Sequence, residues 1–443
     1  MESSSAIRLP AGVRDFLPRA AARRRSIAER LLAAFEAWGY ARIITPVFEC
    51  ADVLERGLGA DARAAAIRFV EPGTGEVVAL RPDITPQVAR IAATRMHDID
   101  GPLRLCYEGS VNRLAGPLGN REVLQAGIEL IDADAPDGDA EALAVAAAAM
   151  ASTGLPDIRL DVGHVAPARY VLGAAGDPEV RRRLAIALAK KDKAGVGRVT
   201  DGMPAPVRQM AAELTGLWGP VGEVLRRARD LPWPGEVRAG LDLLDEVLDH
   251  SRELIDPALH AQFTVDLGEI RGWEYYTGIR FAGYAAGAGD AVLRGGRYDE
   301  LVGRYGRSAR ATGFAVDIEA IAQAQRAAGI EPPNGTTAVL VVAPRRGRRD
   351  AARIAAALRA AGMRAAVDLG GSRSQAQIAA YCKGVGFDRV IEIDGAGGRV
   401  LPAEGGPARR LPAAALKQAL AGNPAPLAAA LGVGGSDEKP ETP

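Results

Sequence analysis

The sequence predicts an α+β protein with an antiparallel sheet core, a helical insertion and a small C-terminal α/β domain. Strand-like runs separated by short turns recur before residue 165 and again from residue 262 to 317, with helical patterns grouped apart from them. Residues 167–260 instead alternate helical stretches with Gly and Pro breaks. We therefore expect a core over residues 1–330, an insertion over about 167–260, an α/β domain over 336–433 and a disordered tail over 434–443.

Composition places the chain among globular proteins and excludes several classes of function. Its 443 residues are 48% hydrophobic and 25% charged, and its net charge is zero, so no overall field directs it to nucleic acid or an anionic membrane. Three isolated cysteines and four scattered histidines show no metal-ligand spacing, so neither a metal nor a cofactor is expected. No signal peptide or membrane-length apolar run occurs, which predicts a cytoplasmic protein without membrane contact.

The core elements follow from local patterns. Apolar residues at helical spacing predict a helix over 17–39 that ends at Gly39, and β-branched residues before Pro46 predict an extended segment. A GTG turn within residues 66–82 predicts a hairpin. Further along the core, the patterns predict helices over 86–96 and 139–151 and strands over 103–113, 121–131 and 158–164.

The C-terminal part begins after a linker signal, EPPNG. The run AVLVVAP, a helix over 350–361, MRAAVDL, a helix over 374–383 and RVIEID follow in alternation. Such alternation predicts a mostly parallel sheet with crossover helices.

Two segments are not well explained by packing alone. RGWEYYTG, residues 271–278, combines a charge, adjacent tyrosines and glycines directly after an apolar strand, although a tyrosine pair there is often half core and half surface. RGGRYDELVG, residues 294–303, has paired glycines that permit close backbone approach, although such a pair is a turn in most proteins.

Two more segments place polar side chains where a cavity wall is expected. Asp83 and Thr85, in RPDITPQVAR, stand where a strand meets a helix, so an N-cap is the simpler interpretation. Gln125 and Glu129 are four residues apart and on a strand would face the same side. Apolar residues alternate with them, which suggests a polar floor under a cavity. A solvated sheet face is the alternative.

Together these segments resemble the histidyl-tRNA synthetase family, which has a class II aminoacyl-tRNA synthetase fold, over about residues 8–325. GVRDFLP, GYARIITPVFE, the hairpin around residues 114–120, RGWEYYTG and RGGRYDEL occur in that family's order. The last two are peculiar to the histidine branch, so the resemblance is specific. The stretch around Pro46 matches the first class II motif, which implies a homodimer formed there.

The resemblance implies a pocket for free L-histidine. Asp83, Thr85 and Gln125 match the positions that hold the α-amino group, although the synthetases have glutamate in place of Asp83. Glu129 and Tyr276 match the imidazole-binding positions, and an acid and a phenol can pair with the two ring nitrogens.

The carboxylate end of the pocket follows from the same resemblance. Arg113 and Arg271 match the arginines that meet the histidine carboxylate and, in a synthetase, the α-phosphate of ATP. Tyr275 is expected to wall the pocket.

The catalytic half departs from the synthetase pattern. The loop over 114–120, LAGPLGN, has no charge, and Ala115 stands in place of a glutamate. In the third motif Glu319 is kept, but Ala320 replaces the arginine that meets the γ-phosphate of ATP. Losing one preorganised donor typically costs about 2.7–4 kcal/mol of transition-state stabilisation, so useful adenylation is not expected.

These departures resemble the ATP phosphoribosyltransferase regulatory-subunit family, a synthetase paralogue in histidine biosynthesis. Its pattern includes RPD-x-TPQ, a neutral second-motif loop and a missing third-motif arginine. The resemblance implies a noncatalytic protein that activates a short-form ATP phosphoribosyltransferase catalytic subunit in a hetero-oligomer and transmits feedback inhibition by histidine. An active histidyl-tRNA synthetase is the alternative hypothesis, favoured by Arg271 and the C-terminal domain, while Ala115 and Ala320 argue against it.

A third hypothesis is an RNA-binding paralogue. Residues 335–434 hold 14 Lys and Arg against 6 Asp and Glu, a net charge of +8, and a basic domain can bind RNA. The aromatics there are only Tyr381 and Phe387, a poor stacking platform for bases. The simpler interpretation is a degenerate domain with a solvated arginine-rich face, so tRNA is not expected as a partner.

Overall fold

A computed structural model describes residues 8–114, 119–260, 262–331, 337–370, 373–394, 397–403 and 406–431. The predicted tail over 434–443 and Ala115 lie outside these residues. The chain divides into two compact units. The first comprises Arg24–Ile330 and the residues up to Asp15, and the second comprises Phe16–Arg23 and the residues from Glu331 onward.

The first unit is built on a nine-stranded sheet. Its strands, in chain order, are β1 (Ala41–Arg42), β5 (Leu103–Asn112), β6 (Glu122–Ile131), β7 (Ile158–His164), β8 (Trp218–Pro220), β9 (Phe263–Asp266), β10 (Ile279–Ala285), β11 (Leu293–Arg297) and β12 (Ala311–Asp317). They lie in the order β1-β5-β6-β12-β11-β10-β7-β9-β8. All pairings from β5 to β7 in this order are antiparallel, which confirms the predicted antiparallel core.

Helices cover one face of this sheet. They are α1 (Pro18–Ala37), α5 (Asp137–Ser152) and α13 (Ile318–Ala327). Alternate residues of β6, among them Ala126, Ile128 and Leu130, pack into the same apolar core as α1 and α5. The remaining residues of β6, including Gln125 and Glu129, therefore face the opposite side. Helix α5 is rich in alanine, which lets it approach the sheet closely, and most of its residues are buried.

The helical insertion packs beyond β7. It consists of α6 (Val165–Gly173), α7 (Pro178–Ala189), α8 (Lys193–Val199), α9 (Ala205–Leu214), α10 (Val221–Arg229), α11 (Gly235–Leu254) and α12 (Pro257–His260). The sequence pattern missed the short strand β8 inside this segment. Its residues Trp218–Pro220 pair with β9 at the edge of the sheet, and three residues are too few to show a strand period.

A small sheet stands beside the core. Strands β2 (Phe48–Cys50), β3 (Ile67–Val70) and β4 (Val77–Leu80) form an antiparallel sheet in the order β2-β4-β3, so the predicted hairpin is present. Helices α2 (Ala51–Gly57) and α3 (Ala60–Ala65) connect β2 to β3, and α4 (Thr85–Thr94) follows β4.

The second unit has a five-stranded mixed sheet. Strands β13 (Ala338–Val342), β14 (Arg364–Val367), β15 (Arg389–Ile393), β16 (Gly398–Pro402) and β17 (Arg409–Leu411) alternate with α14 (Arg348–Ala360) and α15 (Gln375–Val385) and precede α16 (Ala413–Leu420) and α17 (Ala425–Ala430). The strands β14, β13 and β15 are parallel, as predicted, but β16 and β17 add two antiparallel pairings. The description "mostly parallel" is therefore corrected to a mixed sheet.

No helix among the described residues has both the length and the apolar character needed to cross a bilayer.

Candidate functional site

A polar floor lies on the sheet face opposite the core helices. Gln125 and Glu129 of β6 are cross-strand partners of Asp317 and Gly313 of β12. Gly313 must lack a side chain, because a Cβ there would lie 2.3 Å from Glu129 Oε2. The two polar residues are buried, at 8% and 1% exposure, so the alternative of a solvated sheet face is wrong.

A cavity of about 190 Å³ opens above this floor. It is smaller than the roughly 300–1,000 Å³ of pockets for drug-sized ligands, and its lining is largely polar, which suits a small polar metabolite. Seven of the eight site residues predicted from the sequence line it: Asp83, Thr85, Arg113, Gln125, Glu129, Tyr275 and Tyr276.

One end of the cavity collects oxygen acceptors. The Asp83 carboxylate accepts the Ile84 backbone N–H at 2.8 Å. The helix assignment places the N-cap of α4 at Ile84, and Asp83 accepts the backbone N–H groups of Ile84 and Thr85 at the start of that helix, so Asp83 both caps this end and lines the cavity. Burial raises the pKa of Asp83, and the nearby Arg113 charge opposes that rise. Among the described residues, the buried Gln125 Oε1 has no hydrogen-bond partner, so a ligand ammonium would satisfy it.

Glu129 is the most buried acid of the cavity. The hydroxyls of Tyr107 and Tyr298 both donate to its carboxylate, the former to Oε1 at 3.2 Å. Burial raises the pKa of Glu129 to about 8, although hydrogen bonds from Thr85 and the two tyrosines favour the ionised form. At neutral pH this acid can therefore supply a proton to a ring nitrogen or share one with it.

The tight turn after Ile270 positions the two adjacent tyrosines. Gly272 has a φ of +77°, and a Cβ on it would lie 2.8 Å from the Tyr276 ring, so only glycine fits. Arg169 of α6 donates to the Tyr276 carbonyl at 2.6 Å and to the Trp273 carbonyl at 3.1 Å. Tyr275 meets Tyr276 edge-on, with ring centroids 5.2 Å apart.

Arg271, the eighth predicted residue, is not among those that line the cavity. Its guanidinium pairs with the Glu269 carboxylate at 2.7 Å and with Asp290 at 3.5 Å, and it donates to the Tyr284 hydroxyl at 3.4 Å. The structure therefore places the Arg271 guanidinium among neighbouring acids and not on the cavity wall.

The sequence analysis missed four polar residues of the site. Tyr107, as described, holds Glu129, and Tyr298, Arg294 and Asp317 line the cavity. Tyr298 and Arg294 lie in RGGRYDELVG, which was recognised without assigning their side chains. Tyr107 carries no local signal, since its place beside Glu129 depends on the register of β5 against β6.

A recess beside the cavity is lined by both arginine and acidic side chains. This recess of about 50 Å³, room for a few water molecules, adjoins the cavity beside Ala320. Glu319 is paired there with Arg14 at 3.3 Å and with Arg24 at 2.7 Å. Ala320 offers only its backbone N–H, which the Asp317 carboxylate accepts at 2.9 Å.

A search of the described residues for three or more His, Cys, Asp or Glu side chains that could hold a metal ion finds no such group.

Comparison with known proteins agrees with this geometry. A family model described as histidyl-tRNA synthetase matches residues 12–321. A protein of Geobacter sulfurreducens, named ATP phosphoribosyltransferase regulatory subunit, is 39% identical over 367 residues, which cover 82% of this chain and 83% of that protein. A protein of the same name from Anaeromyxobacter sp. (strain Fw109-5) is 43% identical over 336 residues, covering 72% of this chain and 94% of that protein.

Solved structures show the same fold. A Bacillus halodurans protein, described as an ATP phosphoribosyltransferase regulatory subunit/histidyl-tRNA synthetase, has a TM-score of 0.76 at 25% identity and covers 89% of this chain and 100% of its own. The histidyl-tRNA synthetase of Nostoc sp. PCC 7120 has a TM-score of 0.76 at 20% identity, covers 94% of this chain and 98% of its own, and shows the fold alone. The chain belongs to the ATP phosphoribosyltransferase regulatory-subunit family, whose core has the class II fold of histidyl-tRNA synthetases.

Proposed function

We propose that this chain is a noncatalytic regulatory subunit that binds and activates a short-form ATP phosphoribosyltransferase and senses L-histidine for feedback inhibition. One observation carries the proposal: a pocket keeps the groups that suit a free amino acid, while Ala320 replaces the third-motif arginine of the synthetases and residues 114–120 carry no charge. The names of its relatives support the choice of partner.

The pocket matches the chemistry of histidine group by group. Asp83 and the unpaired Gln125 oxygen suit an α-ammonium, and Glu129 and Tyr276 suit the two ring nitrogens. Gln125 and Glu129 are buried and Asp83 and Tyr276 are half-buried, so an analogue that lacks the matching atom would leave a poorly solvated polar group unpaired.

Complex formation tests the proposal directly. The chain and a short-form catalytic subunit, mixed at micromolar concentration, are expected to elute together from a size-exclusion column as a species larger than either alone. Light scattering on that peak gives the mass of the complex. Separate elution of the two proteins at every mixing ratio would contradict the proposed regulatory function.

A second prediction concerns the synthetase alternative. We expect no histidine-dependent exchange between ATP and pyrophosphate, because Ala320 and the uncharged sequence of residues 114–120 provide no cation for the phosphates. An active histidyl-tRNA synthetase assayed alongside is the positive control. Exchange above the level of a reaction without histidine would instead support a synthetase.

A third prediction concerns a homodimer formed around Pro46. Ile44 is 84% exposed, Val47 and Phe48 are about half exposed, and the Phe48 ring meets exposed Phe69 edge-on at 5.9 Å. Exposed apolar residues grouped in this way mark a contact surface. Light scattering at micromolar concentration should give twice the mass of one chain. Ile44→Asp should lower the measured mass toward that of a single chain.

The matched control for the dimer is Ile186→Asp, which changes an exposed apolar residue of α7. It should leave the mass unchanged. A wild type that is already monomeric without its partner, or an Ile44→Asp protein that stays dimeric, would contradict this interface.

A further inference from the structure

We propose that Arg294, and not Arg271, is the residue that binds the carboxylate of the amino acid in this chain and so sets the preference for histidine over its alcohol, histidinol. The inference rests on the proposed histidine site. It assigns the carboxylate contact to Arg294, whereas the family resemblance assigns it to Arg113 and Arg271.

The sheet register gives Arg294 access to the cavity. On β6, Gln125 and Glu129 flank Gly127, whose cross-strand partner on β12 is Ala315. Ala315 pairs in turn with Arg294 on β11. A row of small residues, Gly127 and Ala315, therefore crosses the floor between Gln125 and Glu129 and ends at the Arg294 guanidinium. Two strand spacings, about 10 Å, separate β6 from β11, and an arginine side chain can extend back over this row.

The electrostatic surroundings place the Arg294 charge over the cavity. Arg294 lines both the main cavity and the adjoining recess, so it stands at the boundary between them. Burial raises the pKa values of Tyr276 and Asp317, two groups on the cavity wall, and the Arg294 charge opposes both rises. The other arginine of the lining, Arg113, donates to the Pro82 carbonyl at 2.8 Å, and its charge acts on both Asp83 and Asp317.

Arg271 is not among the residues that line the cavity. Its Nη2 donates to the hydroxyl of Tyr284, a residue of β10, at 3.4 Å. Its closest partner is Glu269, at 2.7 Å. Moving this guanidinium into the cavity would break that ion pair, whereas Arg294 already lines the cavity.

Asp290 is the carboxylate that Arg294 binds within the chain. Arg294 Nη2 donates to Asp290 Oδ1 at 2.6 Å, and Arg271 lies 3.5 Å from the same oxygen. A bound amino acid would offer Arg294 a second carboxylate. Guanidinium groups have several donors in a planar fork and can serve two carboxylates together, so binding need not detach Asp290.

The experiment is a calorimetric titration of the full chain with L-histidine and with L-histidinol. Wild type should bind histidine more tightly. Arg294→Gln should weaken histidine binding roughly 10- to 100-fold, the usual range for a hydrogen bond between charged groups, and change histidinol binding much less. Arg294→Lys, which keeps the charge, should restore part of the preference. Arg271→Gln is the matched control and should leave the preference intact.

The outcomes are distinct. A preference that survives Arg294→Gln but is lost in Arg271→Gln returns the role to Arg271 and overturns the inference. A preference that survives both changes overturns it in favour of Arg113. A folded wild type that binds neither compound removes the proposed histidine site itself, and the assignment of Arg294 with it.

Discussion

Mixing this chain with a short-form ATP phosphoribosyltransferase is expected to raise the formation of phosphoribosyl-ATP, and histidine is expected to lower it again. Allosteric couplings are typically about 1–3 kcal/mol, which corresponds to roughly 5- to 150-fold. Coupling is also reciprocal, so substrates that favour the active state should weaken histidine binding. The initial rate of product formation is measured for the catalytic subunit alone, for the mixture and for the mixture with histidine. The first two rates give the activation, and the last two give the inhibition.

Tyr276→Phe should separate activation from inhibition. The phenol is a cavity-lining group with the chemistry to pair with a ring nitrogen, while the ring itself fills space above Gly296. Phenylalanine keeps the ring and removes the hydroxyl, so the fold and the docking surface should persist while histidine binds less tightly. We expect the variant to activate the partner as wild type does and to need several-fold more histidine for half-inhibition.

Tyr284→Phe is the matched control, since Tyr284 is a partly buried tyrosine of the same sheet that is not among the cavity-lining residues. It should behave as wild type in both assays. Parallel loss of activation and inhibition in Tyr276→Phe would mean that the cavity is only a structural element. A wild-type chain that activates no partner would end the regulatory proposal.

The sequence predicted the antiparallel core because strand-like runs separated by short turns recur, with helical patterns grouped apart from them. Gln125 and Glu129 are four residues apart on β6, which is why their common face was predictable. The strands β8 and β17 were missed because three residues contain too few repeats to show a period, and β16 was missed because Gly398 and Pro402 at its ends are turn signals.

Side-chain direction was predictable only where the strand period fixes it. Arg271 lies in a turn, so a match in sequence gives its position along the chain but not where the guanidinium points. The ion pairs with the neighbouring acids Glu269 and Asp290 determine the direction of the Arg271 guanidinium. Tyr107 reaches Glu129 through the register of the β5–β6 hairpin, and Tyr298 does so from a segment 169 residues away, and no local pattern encodes either contact.

Glu129→Ala is expected to weaken histidine binding by about 1–3 kcal/mol, or roughly 5- to 150-fold. The change leaves a ring nitrogen of the ligand without its partner in a buried site. Calorimetry measures the affinity, and thermal unfolding checks that the variant stays folded, since Tyr107 and Tyr298 lose their common acceptor. Glu122→Ala, at the start of the same strand and outside the cavity, is the matched control. Unchanged affinity in Glu129→Ala would place the histidine site elsewhere.

The pH dependence of this affinity tests the chemistry of the contact more sharply. Because the pKa of Glu129 is raised to about 8, the free pocket holds a proton at neutral pH that it can share with a neutral imidazole. Above pH 8 free Glu129 loses this proton, so forming the same shared-proton contact requires proton uptake and the affinity should fall, at most tenfold per pH unit. Glu129→Gln cannot titrate there. The ratio of the wild-type affinity to the Gln affinity cancels the titration of the ligand itself, so it should stay level below pH 8 and decline above it. A ratio that stays level through pH 9 would show that the shared proton plays no part, and one that rises with pH would show that histidine prefers the ionised carboxylate.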